Sequence, residues 1–346
     1  MSSLRWGIIG TGNIATLFAK ALKVAKKGKL VGVGSRSLET AKAFGQQFDT
    51  KHCFGSYQEL LDSPEIDIVY ISTPHPQHFE LASAAVKANK HVLIEKPMGM
   101  NEAQVQAIFE IAKERGLFVM EAYMYRCHPQ TLKVVELVRS GYLGQVKHVM
   151  ARFSFDGRPL GPQSRLWRNE LGGGAILDIG GYPMSFARLI AGVVNGSDTE
   201  GANPTEVKAT GYIQQNTLVD EWANASLAFE GGMTAQLFTG IFCDGDSSVE
   251  ILGDQGSLKV QNLWRPDLKQ LGPVEIELNV YGKEKEIIPI KLEETDIYAI
   301  EADAVADAVF QGKLECKYMT WKDSIGQVRA VDNWRKEIGL VYKEDQ

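Results

Sequence analysis

Trp6-Gly7-Ile8-Ile9-Gly10-Thr11-Gly12-Asn13-Ile14-Ala15 is the stretch that decides the fold of this chain. An apolar run typical of a buried strand meets Gly10-x-Gly12-x-x-Ala15 and passes into a segment with helical spacing. Each position in that spacing has a steric reason. Gly10 permits a tight turn, Gly12 lets the backbone approach a pyrophosphate, and the small Ala15 lets helix and strand pack closely. Thr11, Asn13 and Ile14 complete the turn, whose main-chain N–H groups face an anion favoured by the helix dipole. Glycine spacing alone is weak evidence. Strand, turn and helix in this order predict a dinucleotide-binding segment.

A second strand-like run, Leu30–Gly34, ends in Ser35-Arg36-Ser37. This lies about 20 residues beyond the glycines, where a carboxylate would grip the ribose of NAD. None stands there. Ser35 and Ser37 can donate to a 2′-phosphate, and Arg36 can pair with it and stack on adenine. Ser37 is also a good N-cap for the helix that follows. The reading favours NADP, with NAD as the alternative.

The chain has 346 residues, comfortable for two domains, and 44% of them are hydrophobic. A net charge of −6 argues against nucleic acid as a partner. No apolar run is long enough to span a membrane, and a strand beginning near Met1 does not resemble a signal peptide. Cys53, Cys127, Cys243 and Cys316 are scattered without Cys-x-x-Cys spacing. They read as reduced thiols of a cytoplasmic protein, with no metal site.

Strands and helices alternate through the first third, predicting a doubly wound parallel sheet of the Rossmann type. After about residue 123 the pattern changes. A helix near Gln130–Arg139 leads into β-type runs from Val146–Phe155 to Glu284–Pro289, joined by turns such as Glu230-Gly231-Gly232. These read as an α+β domain with a large open, mainly antiparallel sheet. Helices at Ile297–Phe310 and Trp321–Val341 end the chain. The expected division is a dinucleotide-binding domain over 1–122 and a substrate-binding and dimerisation domain over 123–346. The C-terminal helix is free to pack back on the first domain.

Three further segments can carry chemistry. Ser72-Thr73-Pro74 follows a buried strand, at the strand end where ligands collect in such sheets, and would line the nicotinamide side. His75 and His78 follow; His78 either reaches the cofactor or simply starts the next helix. Glu95-Lys96-Pro97 again ends a strand, and an ammonium desolvated in a cleft can serve as acid or base. Pro97 can hold a cis bond. In Gly172-Gly173-Gly174-Ala175-Ile176-Leu177-Asp178-Ile179-Gly180-Gly181-Tyr182, Asp178 and Tyr182 are four apart and share a helix face.

Together these motifs resemble the Gfo/Idh/MocA family of oxidoreductases over nearly the whole chain. The resemblance implies that Lys96 is the catalytic lysine and Asp178 the second polar residue of the active site. Many members have His where this chain has Tyr182. Tyrosine there points to the subgroup resembling glucose–fructose oxidoreductase and dimeric dihydrodiol dehydrogenase, and away from the inositol dehydrogenases. The same resemblance implies that the open sheet forms a dimer interface, giving a homodimer or a dimer of dimers.

The expected reaction is hydride transfer between nicotinamide and a carbinol or carbonyl carbon of a polyol, sugar or cyclic diol. Lys96 or Tyr182 would handle the proton and Asp178 would orient one of them. Tyr123, Tyr125 and Arg126 follow the last strand of the first domain, where they would line the cleft and bind substrate together with Lys96, Asp178 and Tyr182. Trp167 and Arg168 would close over cofactor or substrate. The rival reading is a protein that senses a dinucleotide or sugar without turning it over.

Overall fold

The computed structural model describes residues 3–268, 272–293 and 296–345. Its first part runs β1 (Leu4–Ile9), α1 (Asn13–Ala21), β2 (Gly28–Gly34), α2 (Leu38–Phe48), β3 (His52–Phe54), α3 (Tyr57–Asp62) and β4 (Ile68–Ile71). It continues through α4 (His78–Lys87), β5 (His91–Glu95), α5 (Glu102–Arg115) and β6 (Val119–Ala122). The strands form one parallel sheet in the order β3-β2-β1-β4-β5-β6. Chain order reverses between β1 and β4. In a doubly wound sheet that reversal opens a crevice at the carboxyl ends of the strands.

The apolar runs form these elements because both faces of the sheet are covered. Trp6, Ile8 and Ile9 of β1 are wholly buried. Phe18 of α1 stacks on Tyr70 of β4 at 3.9 Å and meets the edge of Trp6 at 5.1 Å. Ser37 caps α2, accepting the Thr40 N–H.

The remaining elements are α6 (Pro129–Arg139), β7 (Val146–Ser154), α7 (Gly181–Val194), β8 (Glu206–Ile213), β9 (Asp220–Ala228) and β10 (Thr234–Gly240). After them come β11 (Val249–Gly253), β12 (Gly256–Val260), β13 (Glu275–Val280), β14 (Glu286–Pro289), α8 (Ile297–Phe310) and α9 (Trp321–Glu337). Strands β7 to β14 make one eight-stranded sheet in the order β14-β13-β12-β11-β7-β10-β9-β8. Every pairing is antiparallel except β7 with β10 at the centre, which is parallel. Along β9 the side chains alternate: Ala223, Ala225 and Leu227 are buried, whereas Trp222, Asn224 and Ser226 are exposed. The indole N–H of Trp334 in α9 donates to the Asn224 carbonyl at 3.2 Å.

One helix ends earlier than its periodicity suggests. Apolar spacing predicts helix to Val341, but α9 stops at Glu337. Gly339 turns left-handed at φ +74°, and the Leu340 N–H returns to the Arg335 carbonyl at 2.9 Å.

The chain divides into two compact units. The first takes in Met1–Gly99, Ala103–Cys127 and Glu294–Trp321; the second takes in Met100–Glu102, His128–Glu293 and Lys322–Gln346. Thus α8 belongs to the first unit although it follows the whole second sheet. The Asp303 carboxylate accepts the main-chain N–H groups of Lys26 and Lys27, and Asp307 pairs with the Lys27 ammonium at 2.6 Å. Among the described residues no helix is long and apolar enough to cross a membrane, and no cluster of His, Cys, Asp or Glu is arranged to hold a metal.

Candidate active site

In the first unit, main-chain bonds draw the strand ends into a common edge. The Gly10 N–H donates to the Gly34 carbonyl at 3.0 Å, and Ser72 donates to the Ile9 carbonyl through its N–H at 3.0 Å and its hydroxyl at 2.8 Å. Gly10 has φ +106°, and a Cβ there would lie 2.9 Å from the Ser72 hydroxyl oxygen. Its lack of a side chain therefore serves both the turn and this close approach. A Cβ on Gly12 would meet nothing within 4 Å. Thr11 and Ile14 are half-buried, Asn13 is exposed, and Ala15 is wholly buried against the sheet.

The first-unit residues suit a dinucleotide phosphate. α1 starts at Asn13 with no side chain capping it, so its first N–H groups remain for an anion. The buried Thr73 hydroxyl has no hydrogen-bond partner among the described residues. At the end of β2, Ser35 is buried while Arg36 and Ser37 are exposed, with Ser37 engaged as the α2 cap. Capping and phosphate binding are compatible roles for a hydroxyl.

Lys96 stands at the end of β5, half-buried, and its bond to Pro97 is cis. Wholly buried His78 ties this turn to the neighbouring one. Its Nδ1 lies 2.8 Å from the Pro97 carbonyl and its Nε2 2.8 Å from the Thr73 carbonyl. The ring thus braces the two turns against each other. His75 is buried beside it, ring centres 5.7 Å apart.

Buried carboxylates gather at Glu95, the residue before Lys96. Glu95 accepts a hydrogen bond from the Tyr70 hydroxyl. Glu301 of α8 is fully buried, and neither carboxyl oxygen has a partner among the described residues. Burial, followed by repulsion from Glu95, pushes its pKa well above the usual carboxylate range. Nothing in the local sequence around Glu301 marks it, because only the return of α8 to the first unit buries it. Glu121 at the end of β6 accepts the Met98 N–H at 2.9 Å. Tyr123, Tyr125 and Arg126, in and just before the short turn Met124–Cys127, are almost wholly buried, and the turn packs against α8.

In the second unit, Asp178 lies in a π turn, Ile176–Gly180, that runs directly into α7 carrying Tyr182. Such wide turns are frequent at functional sites. Asp178 forms an ion pair with Arg165 at 2.6 Å. Sequence reading missed Arg165, which stands 13 positions away at the start of a short 3-10 turn, Arg165–Trp167. Tyr182 is buried against Phe153, ring centres 5.3 Å apart, and Trp264 at 5.9 Å. Half-buried Trp167 donates its indole N–H to the Gly161 carbonyl at 3.1 Å, and exposed Arg168 pairs with Glu170 at 2.6 Å.

The profile of the oxidoreductase family with an NAD-binding Rossmann fold matches residues 4–123, and that of the GFO/IDH/MocA C-terminal domain matches 131–259. Trans-1,2-dihydrobenzene-1,2-diol dehydrogenase of Danio rerio is 32% identical, over 99% of each chain. The Mus musculus protein of that name is 30% identical over 99% of each. Among solved structures, the 3-ketoreductase KijD10 of Actinomadura kijaniata, in complex with NADP and TDP-benzene, superposes with a TM-score of 0.85 at 29% identity. That match covers 97% of this chain and 98% of that one. Aldose-aldose oxidoreductase of Caulobacter crescentus shares the fold, with a TM-score of 0.83 at 23% identity over 97% of each chain. Motifs, sheet order and relatives agree: this chain belongs to the GFO/IDH/MocA family of NAD(P)-dependent oxidoreductases.

Proposed function

We propose that the protein interconverts an alcohol and a carbonyl on a sugar, anhydrosugar or cyclic diol, with NADP(H) as coenzyme. The observation that carries this reading is the His78 brace, which fixes the Lys96-Pro97 turn beside Thr73 at the dinucleotide edge of the first sheet. A sensor has no need of an ammonium held there. The relatives are named for a dihydrodiol and for a 3-keto group, both carbinol or carbonyl carbons.

Gly10, Thr11, Gly12, Asn13 and Ile14 would hold the pyrophosphate, and Ser35, Arg36 and Ser37 the 2′-phosphate. Ser72, Thr73 and Pro74 would flank the nicotinamide. NADP(H), when bound, supplies or accepts hydride at nicotinamide C4. The chain's own task is to place one proton. Lys96 Nζ is the donor in this reading when the carbonyl is reduced, and Tyr182 Oη is the second proton-bearing group. An isolated phenol, with a pKa of ~10, is a poor base at neutral pH and needs a cation to lower it. Asp178, fixed by Arg165, is the orienting carboxylate.

The test is a panel of aldoses, ketoses, anhydrosugars and trans-diols followed by the absorbance of reduced nicotinamide. On a substrate that is turned over, Lys96→Ala should lower kcat by about 10²–10⁴-fold and leave NADPH affinity intact. Near-wild-type turnover would remove Lys96 from the chemistry. Absence of turnover across the panel, with NADPH still bound, would favour the sensor.

The uncovered face of the second sheet is the docking surface for a second copy in this reading. Tyr212 and Trp222 stack there at 4.8 Å and are both exposed. Sedimentation should give a dimer, and Trp222→Glu should shift it towards monomer.

A further inference from the structure

The start of the helix bearing Asp178 and Tyr182 is held by an acid 44 positions from its point of attachment. Asp220 opens β9 and is wholly buried. Its Oδ2 accepts the main-chain N–H of Ile176 at 2.8 Å, the first residue of the π turn. No side chain within the turn caps that end. Its Oδ1 lies so close to Gly174 that a Cβ there would sit 2.2 Å away. From another direction the Tyr342 hydroxyl donates to the Gly173 carbonyl at 2.5 Å.

We propose that Asp220 is a positioning residue: by clamping the start of the π turn it sets where Asp178 and Tyr182 stand. The inference rests on the reading that these two residues serve the reaction. An uncharged acceptor would cap a turn at smaller desolvation cost, so a buried carboxyl is an expensive choice for scaffolding alone. Burial raises the Asp220 pKa to about 7, against the opposing pull of the Ile176, Asp220 and Ala175 N–H groups and of Arg335. The clamp therefore changes charge near neutrality. Ionised, it is a stronger acceptor and suits the positive end of a helix. The charged and titratable groups that act on it are Tyr342 beyond α9 and Arg335 within α9, with Asp332 and Asp345 pairing with Arg335; Asp178 on the π turn acts in turn on Tyr342.

The sign for stability follows from the raised value. The stabilisation from protonated Asp220 is complete below the ordinary value of 3.8 and is lost as pH rises through about 7. The ionised clamp is thus tighter locally yet costly globally.

Two variants test this by amide exchange, turnover and unfolding. Amide exchange at Ile176, measured without substrate, should speed up roughly fivefold or more in Asp220→Ala, the effect of losing a cap. It should stay near wild type in Asp220→Asn, whose carbonyl still accepts. With a turned-over substrate, Asp220→Ala should lose about 10²-fold in kcat through misplacement, with NADPH affinity unchanged. Asp220→Asn should restore most of kcat but remove the limb near pH 7 from both the kcat profile and the unfolding midpoint. Native exchange at Ile176 in Asp220→Ala, or an unaltered limb in Asp220→Asn, overturns the proposal. Should no substrate be turned over, the exchange and unfolding arms still decide the clamp, while the catalytic reading falls separately.

Discussion

Two glycine-rich turns carry the candidate site motifs, and glycine stands in them for opposite reasons. At Gly12 a Cβ would meet none of the described residues within 4 Å beyond its chain neighbours. At Gly173 a Cβ would lie 2.6 Å from the carbonyl oxygens of both Arg165 and Leu166, and at Gly174 it would meet Asp220. The first turn is open, as the proposed pyrophosphate contact requires. The second has been closed by the chain itself. An identical residue type therefore stands in open space in one unit and in a packed joint in the other, and only the third dimension tells them apart.

The contrast breaks most readily at Gly174. Alanine there meets φ +102° as well as the Asp220 carboxylate, and strain plus overpacking should cost about 3 kcal/mol or more, read as a lower urea midpoint together with lost activity. A Gly174→Ala protein of native stability would refute the crowding account. Gly173→Ala faces main-chain oxygens that cannot rotate aside, so a loss of roughly 1–3 kcal/mol is expected by the same measurement. Gly12→Ala should instead leave folding within about 1 kcal/mol of wild type, the cost of a poorer cap. If the proposed pyrophosphate contact is right, it should weaken NADPH binding about tenfold by titration, because the methyl would enter the place proposed for the pyrophosphate. Equal NADPH affinity would mean that the open space serves nothing. Smallest in effect on stability is Arg36→Asp on the exposed end of β2. It should move coenzyme preference from NADP towards NAD, measured as the ratio of kcat/KM values, and an unchanged ratio would free Arg36 from the 2′-phosphate.

Much of this was legible in one dimension where local spacing is itself the physics. Strand–turn–helix at Ile9–Ala15 and the alternation along Asp220–Ala228 each depend on neighbours in sequence, and both stand in the structure as their periods imply. The parallel match of β7 with β10 was not legible, because side-chain alternation is the same in parallel and antiparallel edge pairings. Nor was the end of α9, where apolar spacing continues to Val341 and the left-handed Gly339 stops the helix. The partners of the candidate site were hidden for a related reason. Arg165 and Asp220 reach the π turn across 13 and 44 positions, distances over which no period holds. Arg126, expected from its place after the last strand to line a substrate cleft, is 2% exposed.

The placement of α8 has a kinetic consequence. Asp303 and Asp307 close the connection between α1 and β2, a pairing that spans 276 positions or more. A ribosome elongating at ~5–20 residues per second therefore needs on the order of 15 s or longer before that helix can reach its berth. The unit that begins the chain is completed only when α8 arrives, after the whole second sheet has been made.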